Sequence, residues 1–273
     1  MKATRRQIIR ELLQTKPFVS LKELQEHFPD VTSMTLRRDI EFFEKQGELI
    51  KVRNGARSMK FITTSMEDEY DMRAKENSEA KIQIARSAAE FIETGRSIFL
   101  DSGTTTMRLA EFIPDKRLTI TTSGPNIALE LAKKNMPLIN LVGGMVNRDN
   151  VSVSGSQALQ FLENVNIDIA FMVPSGYSPK NGFSCGNYSE CELKSYIVQK
   201  ARYVVMLMDT SKIDKILPYT FCKLDRVDTL FLDKPISSSL LNAAEYPNLK
   251  IVIAGDPSAP PKEHTTRCIP REI

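Results

Sequence analysis

"IFLDSGTTTMRLAEFI", Ile98 to Ile113, runs three apolar residues into Asp-Ser-Gly-Thr-Thr-Thr, after which the apolar spacing changes. The first part reads as a short buried strand and the second as an amphipathic helix. A strand that turns through Gly103 into a helix is the repeating unit of a parallel α/β sheet. The same alternation continues along the chain. "LTITTS", "LINLVGG", "DIAFMVPSG", "RYVVMLMD", "TLFLD" and "LKIVIAG" read as further strands. "NIALELAKK", "SQALQFLENV", "SECELKSYIVQKA" and "SLLNAAEY" read as helices between them. Upstream, a long helix is expected with Ile82, Ala85, Ala89 and Ile92 on one face and Gly95 as its C-cap.

The segments that follow the strands share a chemistry. They are Asp101-Ser102-Gly103-Thr104-Thr105, Thr122-Ser123-Gly124, Gly143-Gly144, Pro174-Ser175-Gly176 and Asp209-Thr210-Ser211-Lys212. In an open α/β sheet the carboxyl ends of the strands form one rim, and ligands bind in the crevice there. Small, hydroxyl-bearing and glycine residues therefore converge on one edge. At the first segment, Gly103 allows a tight turn. Thr104 to Thr106 then open a helix whose free N–H groups carry partial positive charge and suit an anionic phosphate. Asp101 would repel a phosphate beside it, so it is expected to face sugar hydroxyls or to accept from backbone N–H groups. The plainer alternative is that Ser102 and the threonines only cap the helix.

Glu190 and Lys194 are four apart and share a helix face. They form either a surface ion pair, worth about 0.3–0.5 kcal/mol, or part of the rim. Lys194 or Lys212 would meet the ligand's charge, and Lys212 is favoured because it lies on a strand-end loop.

The first sixty residues have a different pattern. Ile8, Ile9, Leu12 and Leu13 give one helical face. Ser20 and Glu23 form a capping box for a second helix with Leu21, Leu24 and Phe28 inside. Ser33 is the expected N-cap of a third, "MTLRRDIEFFEKQG", in which Leu36, Ile40 and Phe43 face inward and Gly47 ends the helix. Thr35, Arg37 and Arg38 then fall on the outer side. "ELIKVRNGA" alternates in polarity and ends in an Asn-Gly turn. Three short helices and a basic hairpin describe a winged helix-turn-helix, whose third helix would enter the major groove. An ordinary three-helix bundle with solvated arginines is the alternative.

Charge follows the same division. Residues 1 to 60 hold thirteen Lys and Arg against eight Asp and Glu, while the rest holds 24 against 26. A basic front on a near-neutral body fits a polyanion-binding module on a non-basic domain, with a chance imbalance as the alternative. The 273 residues, 41% hydrophobic and 26% charged, leave room for two domains and a large core. No stretch approaches the ~18 uncharged apolar residues that span a bilayer, and the N-terminus lacks an apolar signal core. A cytoplasmic protein with no membrane association is expected. Cys185, Cys191, Cys222 and Cys268 have no Cys-x-x-Cys spacing, and His27 and His264 lie apart from them. No metal site, cofactor or disulfide framework is read from them.

"VTSMTLRRDIEFFEKQGELIKVRNGA" resembles the recognition-helix and wing signature of the DeoR family of bacterial transcriptional regulators. It departs at the wing tip, where Arg53-Asn54-Gly55-Ala56 stands for the more usual His-Gly-Gly-Ala. "DSGTTT", "TTS", "VGG", Glu190-x-x-x-Lys194 and "DTSK" resemble that family's sensor domain, with departures at Ser123-Gly124 and "VPSGYS". The resemblance implies a sensor similar in fold to ribose-5-phosphate isomerase and glucosamine-6-phosphate deaminase, and a phosphorylated sugar or related metabolite as effector.

The expected architecture is a winged helix-turn-helix at 1–57, a linker at 58–77 carrying the acidic "MEDEYD", and a larger α/β domain at 78–273 with a mostly parallel sheet covered by helices. The expected function is a DNA-binding regulator, a repressor, acting as a homo-oligomer on operator DNA. Expected DNA contacts are Ser33, Thr35, Arg37, Arg38, Lys51 and Arg53. A sugar-phosphate isomerase or deaminase is the alternative. It would need a positioned base from among Asp101, Glu190, Asp209 and Lys212, with no histidine in the crevice.

Overall fold

The structure, a computed structural model, describes residues 5–16, 18–52, 55–58, 70–236 and 246–255. Most of the helix expected from "SLLNAAEY", the tail after Gly255, Arg53 and Cys268 lie outside those residues. The chain divides into two units, Met1–Met66 and Glu67–Ile273.

In the first unit, three helices run α1 (Arg5–Thr15), α2 (Leu21–His27) and α3 (Ser33–Lys45). Ile9, Leu13, Leu24, Leu36, Ile40 and Phe43 come from all three and share one buried core. The inward spacing at Leu36, Ile40 and Phe43 is therefore the spacing that packs. Strands β2 (Leu49–Val52) and β3 (Gly55–Ser58) form the expected hairpin. Two local readings need correction. The stretch before α2 is not merely a break. Phe18–Ser20 is a strand, β1, pairing antiparallel with β3 and burying Val19 against the helices. The N-cap of α3 is Thr32, whose side chain accepts from the Thr35 N–H at 3.4 Å, so Ser33 is the first helical residue. Ser20 does cap α2, accepting from Glu23 N–H at 3.0 Å.

Asp39 ties α3 to α1. It is buried, and its two oxygens accept from Arg5 Nε at 2.5 Å and Arg6 Nε at 2.9 Å. Burial by itself would push this carboxyl up, but the two guanidinium groups outweigh it and hold it below its usual range.

The second unit is built on a seven-stranded sheet whose neighbouring strands are all parallel. Its strands are β4 (Ser97–Leu100), β5 (Thr119–Thr122), β6 (Leu138–Leu141), β9 (Ile169–Met172), β12 (Tyr203–Leu207), β14 (Thr229–Leu232) and β15 (Lys250–Ile253). The order is β15-β14-β12-β9-β4-β5-β6. Successive side chains point to opposite faces. Ile98, Leu100, Phe171, Val205 and Leu207 enter one apolar layer, and Phe99, Ala170, Met172, Val204 and Met206 the other. The first layer is closed by Ile84, Ala85 and Ala88 of α5 (Ser78–Ala89), Leu109 of α6 (Thr104–Phe112) and Ile127 of α7 (Pro125–Leu131). The second is closed by Leu162 of α8 (Ser156–Leu162) and Leu193 and Ile197 of α9 (Tyr188–Lys200). Continuous apolar strands are the sequence signature of this two-sided burial.

The helix before β4 differs from expectation. It is two helices, α4 (Tyr70–Lys75) and α5, and α5 ends at Ala89 with Glu90 as its C-cap. Gly95 lies beyond it in a positive-φ turn, and the buried face includes Lys81 in place of Ile82. Three small pairings also went unread. They are the hairpin β7 (Met145–Asn147) with β8 (Ser152–Ser154), and the antiparallel set β10 (Gly176–Ser178), β11 (Gly182–Cys185) and β13 (Tyr219–Cys222). Each strand has only three or four residues, too short for a period to show.

Strand order reverses direction between β4 and β9. The connection from β4 leads to β5 on one side, while β9 and β12 lie on the other, so the carboxyl ends of β4 and β9 open onto a crevice.

Candidate functional site

At that crevice the sequence "DSGTTT" becomes the end of β4 and the first turn of α6. The N-cap is Gly103, and no side chain caps the helix. Thr106 turns its hydroxyl back to the Gly103 carbonyl at 3.1 Å, and the Ser102 N–H donates to Ser123 Oγ at 3.1 Å. Thr104 and Thr105 line the cleft at this first turn, whose N–H groups no side chain caps. The plain capping alternative does not hold here. Gly103 is needed for space, not for a special turn: its backbone is extended, and a Cβ would come within 2.5 Å of Val173 Cγ2.

Arg73, Lys81, Ser102, Thr104, Thr105, Asn150, Ser175, Glu190, Lys194, Asp209 and Lys212 line the cleft with Gly103. Nine of the predicted rim residues are therefore brought together: Ser102, Gly103, Thr104, Thr105, Ser175, Glu190, Lys194, Asp209 and Lys212.

The others take structural places. Asp101 lies beneath the floor, 1% exposed. Its Oδ2 accepts from the Val173 N–H at 3.1 Å and from Lys194 Nζ. Thr122 Oγ1 accepts from Gly124 N–H at 3.0 Å, and Ser123 anchors Ser102. Gly143 is exposed, and Gly144 (φ +133) abuts the Ser154 carbonyl where the chain turns into the β7–β8 hairpin. Gly176 begins β10 against the Lys215 backbone.

Charge is arranged unequally among the lining residues. Lys194 is spent on Asp101 and on the Val173 carbonyl at 3.0 Å. Burial opposes its charge, but the Asp101 carboxylate outweighs burial and raises the lysine above its ordinary value. Glu190 is buried and is not paired on the surface with Lys194. It accepts from Asn147 at 3.1 Å, Asn150 at 3.0 Å and Ser152 at 2.5 Å, and so holds the β7–β8 hairpin. Asp209 caps the one-turn helix Thr210–Lys212 through Ser211 and accepts from Asn77 Nδ2 at 3.2 Å.

Lys212 is different. It is 8% exposed, it lines the cleft, and its ammonium has no hydrogen-bond or ion-pair partner among the described residues. Lys81, donating to the Arg73 carbonyl, is pulled down to about 8 by burial first and by the charge of Lys212 next. Lys81 and Lys212 thus bring two like charges into the cleft lining beside the uncapped start of α6. Arg73, Lys81 and Asn150 escaped sequence reading. Lys81 looks like any polar helix residue, and Arg73 and Asn150 sit far from the rim in sequence.

In the first unit, Ser33, Arg37 and Arg38 are exposed and Thr35 half-buried along the outer side of α3. Lys51 is exposed but paired with Glu41 at 2.5 Å. Among the described residues there is no cluster of metal-ligating side chains, and no helix is long and apolar enough to cross a membrane.

A winged helix-turn-helix joined to a two-faced α/β domain with a strand-end cleft defines a two-module transcriptional regulator. A family model described as the DeoR C-terminal sensor domain matches residues 76–234, and one described as a DeoR-like helix-turn-helix domain matches residues 5–61. The chain belongs to the DeoR family. Relatives include the HTH-type transcriptional regulator IolR of Bacillus subtilis, 32% identical, with 86% of this chain and 93% of the relative covered. The glycerol-3-phosphate regulon repressor of Escherichia coli is 29% identical, covering 88% and 95%. The HTH-type transcriptional regulator GlpR of Haloferax volcanii is 28% identical, covering 92% and 97%. Among solved structures, ribose 5-phosphate isomerase A from Methanocaldococcus jannaschii aligns with TM-score 0.38 and 15% identity, covering 50% of this chain and 55% of that one. These relatives are named as transcriptional regulators or repressors, which fits a regulator rather than an enzyme.

Proposed function

We infer that this chain is a cytoplasmic repressor whose operator affinity is set by a phosphorylated sugar or related metabolite in the cleft. One observation carries the ligand class. Lys212, buried and without a partner, stands with Lys81 beside the uncapped start of α6. A dianionic phosphoryl group would accept from the Thr104 and Thr105 N–H groups and take both ammonium charges. The remainder of the ligand would reach toward Ser102, Ser175 and Asn150. On the DNA side, Arg37 and Arg38 at the start of α3 reach base edges or phosphates in the major groove, supported by Ser33, Thr35 and the wing. Two copies would present two such helices to a repeated or palindromic site.

A thermal-shift screen of phosphorylated sugars beside the same sugars without phosphate tests the reading. Stabilisation confined to the phosphorylated set is expected. Equal shifts from both sets, or none from either, would remove the phosphate from the account.

A further inference from the structure

We propose that Arg73, on α4, is the residue through which an anionic occupant of the cleft acts on the chain segment leading to the DNA-binding module. This deepens the reading above and rests on it. Residues 62–75 lie between the two family matches, so neither assigns Arg73 a part. The structure nevertheless puts Arg73 in the cleft wall.

A phosphoryl group entering this cleft meets walls that are held unequally. Most walls are fixed. Thr104 and Thr105 are buried in the first turn of α6, Asp209 is buried just after β12, and Glu190 is held by three donors. By contrast, α4 has six residues and none is buried. An element with no buried side chain is the least costly to displace.

Among the hydrogen bonds that hold α4, two run to cleft residues and two to Asp149 and Asn126. Arg73 Nη2 donates to Asn150 Oδ1 at 3.0 Å, and the Arg73 carbonyl accepts from Lys81 Nζ. Tyr70 N–H donates to the Asp149 carbonyl at 2.8 Å, and its hydroxyl accepts from Asn126 Nδ2 at 2.7 Å. An anion arriving beside Lys212 competes for the Lys81 ammonium and for the Arg73 guanidinium, since charge-assisted contacts to a phosphate exceed those to a neutral carbonyl or amide. Both exchanges loosen α4 from the cleft wall. In sequence, α4 directly follows the segment that joins the two family matches, so this is the element of the sensor unit nearest in sequence to the DNA-binding module.

Amide hydrogen exchange on the full-length protein, in sodium phosphate and in sodium chloride of equal ionic strength, tests this. Phosphate should protect residues 104–107 and change exchange across residues 70–76 by about threefold or more. In Arg73→Gln, a neutral donor keeps the Asn150 contact while the charge is lost. Residues 104–107 should still respond, more weakly, and the change at 70–76 should vanish. In Lys212→Ala both responses should disappear. Protection at 104–107 without any change at 70–76 in the wild-type protein would overturn the role of Arg73 alone. So would a wild-type response at 70–76 in Arg73→Gln. No response at either segment would remove the anion site, and this proposal with it.

Discussion

Lys81 and Lys212, both lining the cleft, are the residues at which the proposed anion site can be tested. Lys212 lines the cleft with no ion-pair partner among the described residues, so its removal should weaken any anion bound there. Lys212→Ala is expected to lower affinity for a phosphorylated effector by about 1.5–3 kcal/mol, the worth of a hydrogen bond to a charged group. Isothermal titration calorimetry against the wild-type protein measures it. Lys81 sets the pH window. Its folded value of about 8 lies below the ordinary lysine value, so the unfolded chain binds the proton more tightly. Ligand-free stability should therefore rise as pH climbs from about 8 toward the ordinary lysine range. An anion favours the charged form, so effector affinity should fall as pH passes above about 8. Lys81→Met should flatten that decline; an unchanged profile in Lys81→Met would assign it elsewhere.

The third helix of the first unit, α3, is fixed at both ends by contacts that can be separated. Thr32→Ala should cost roughly 0.5–1 kcal/mol by loss of the cap, whereas Ser33→Ala should cost less than about 0.5 kcal/mol. Urea denaturation of the two variants distinguishes the caps. Asp39→Ala removes the buried carboxylate that ties α3 to Arg5 and Arg6. Those arginines remain partly exposed, so a loss of about 1–3 kcal/mol is expected rather than that of a stranded buried charge. Because the Asp39 carboxyl is held low, its contribution is present above the ordinary aspartate value and fades as pH falls through it. On the outer side, Arg37→Ala and Arg38→Ala should each weaken operator binding by about 1–3 kcal/mol where the contact is to a base edge, with little change in melting temperature. Operator affinity equal to wild type in both variants would reassign the DNA-reading face of α3.

Across the whole molecule, effector and operator must report on each other. If occupancy changes DNA affinity by a coupling free energy of ~1–3 kcal/mol, operator DNA changes effector affinity by the same factor. Effector titrations with and without operator fragment check this, and identical affinities would separate the two activities. Thr104→Val keeps the helix start but removes a hydroxyl from the cleft. It should blunt the effector response and leave effector-free DNA binding unchanged, as measured by fluorescence anisotropy.

Period and punctuation alone determined much of this protein. Apolar runs between amphipathic helices specified a parallel sheet buried on both faces, because strands covered on both sides cannot alternate in polarity. The spacing of Leu36, Ile40 and Phe43 specified which side of α3 is inside, and hence that Arg37 and Arg38 are outside. Glycine and hydroxyl residues after the strands marked the rim, since parallel strands put all their ends on one edge. Tertiary structure decided what each of those residues does. It paired Asp101 with Lys194 across 93 positions and gave Glu190 to the β7–β8 hairpin. It left Lys212 without a partner among the described residues and brought in Arg73, Lys81 and Asn150 from segments with no rim signature. Such partnerships depend on distances between remote segments, which packing sets and local spacing does not record.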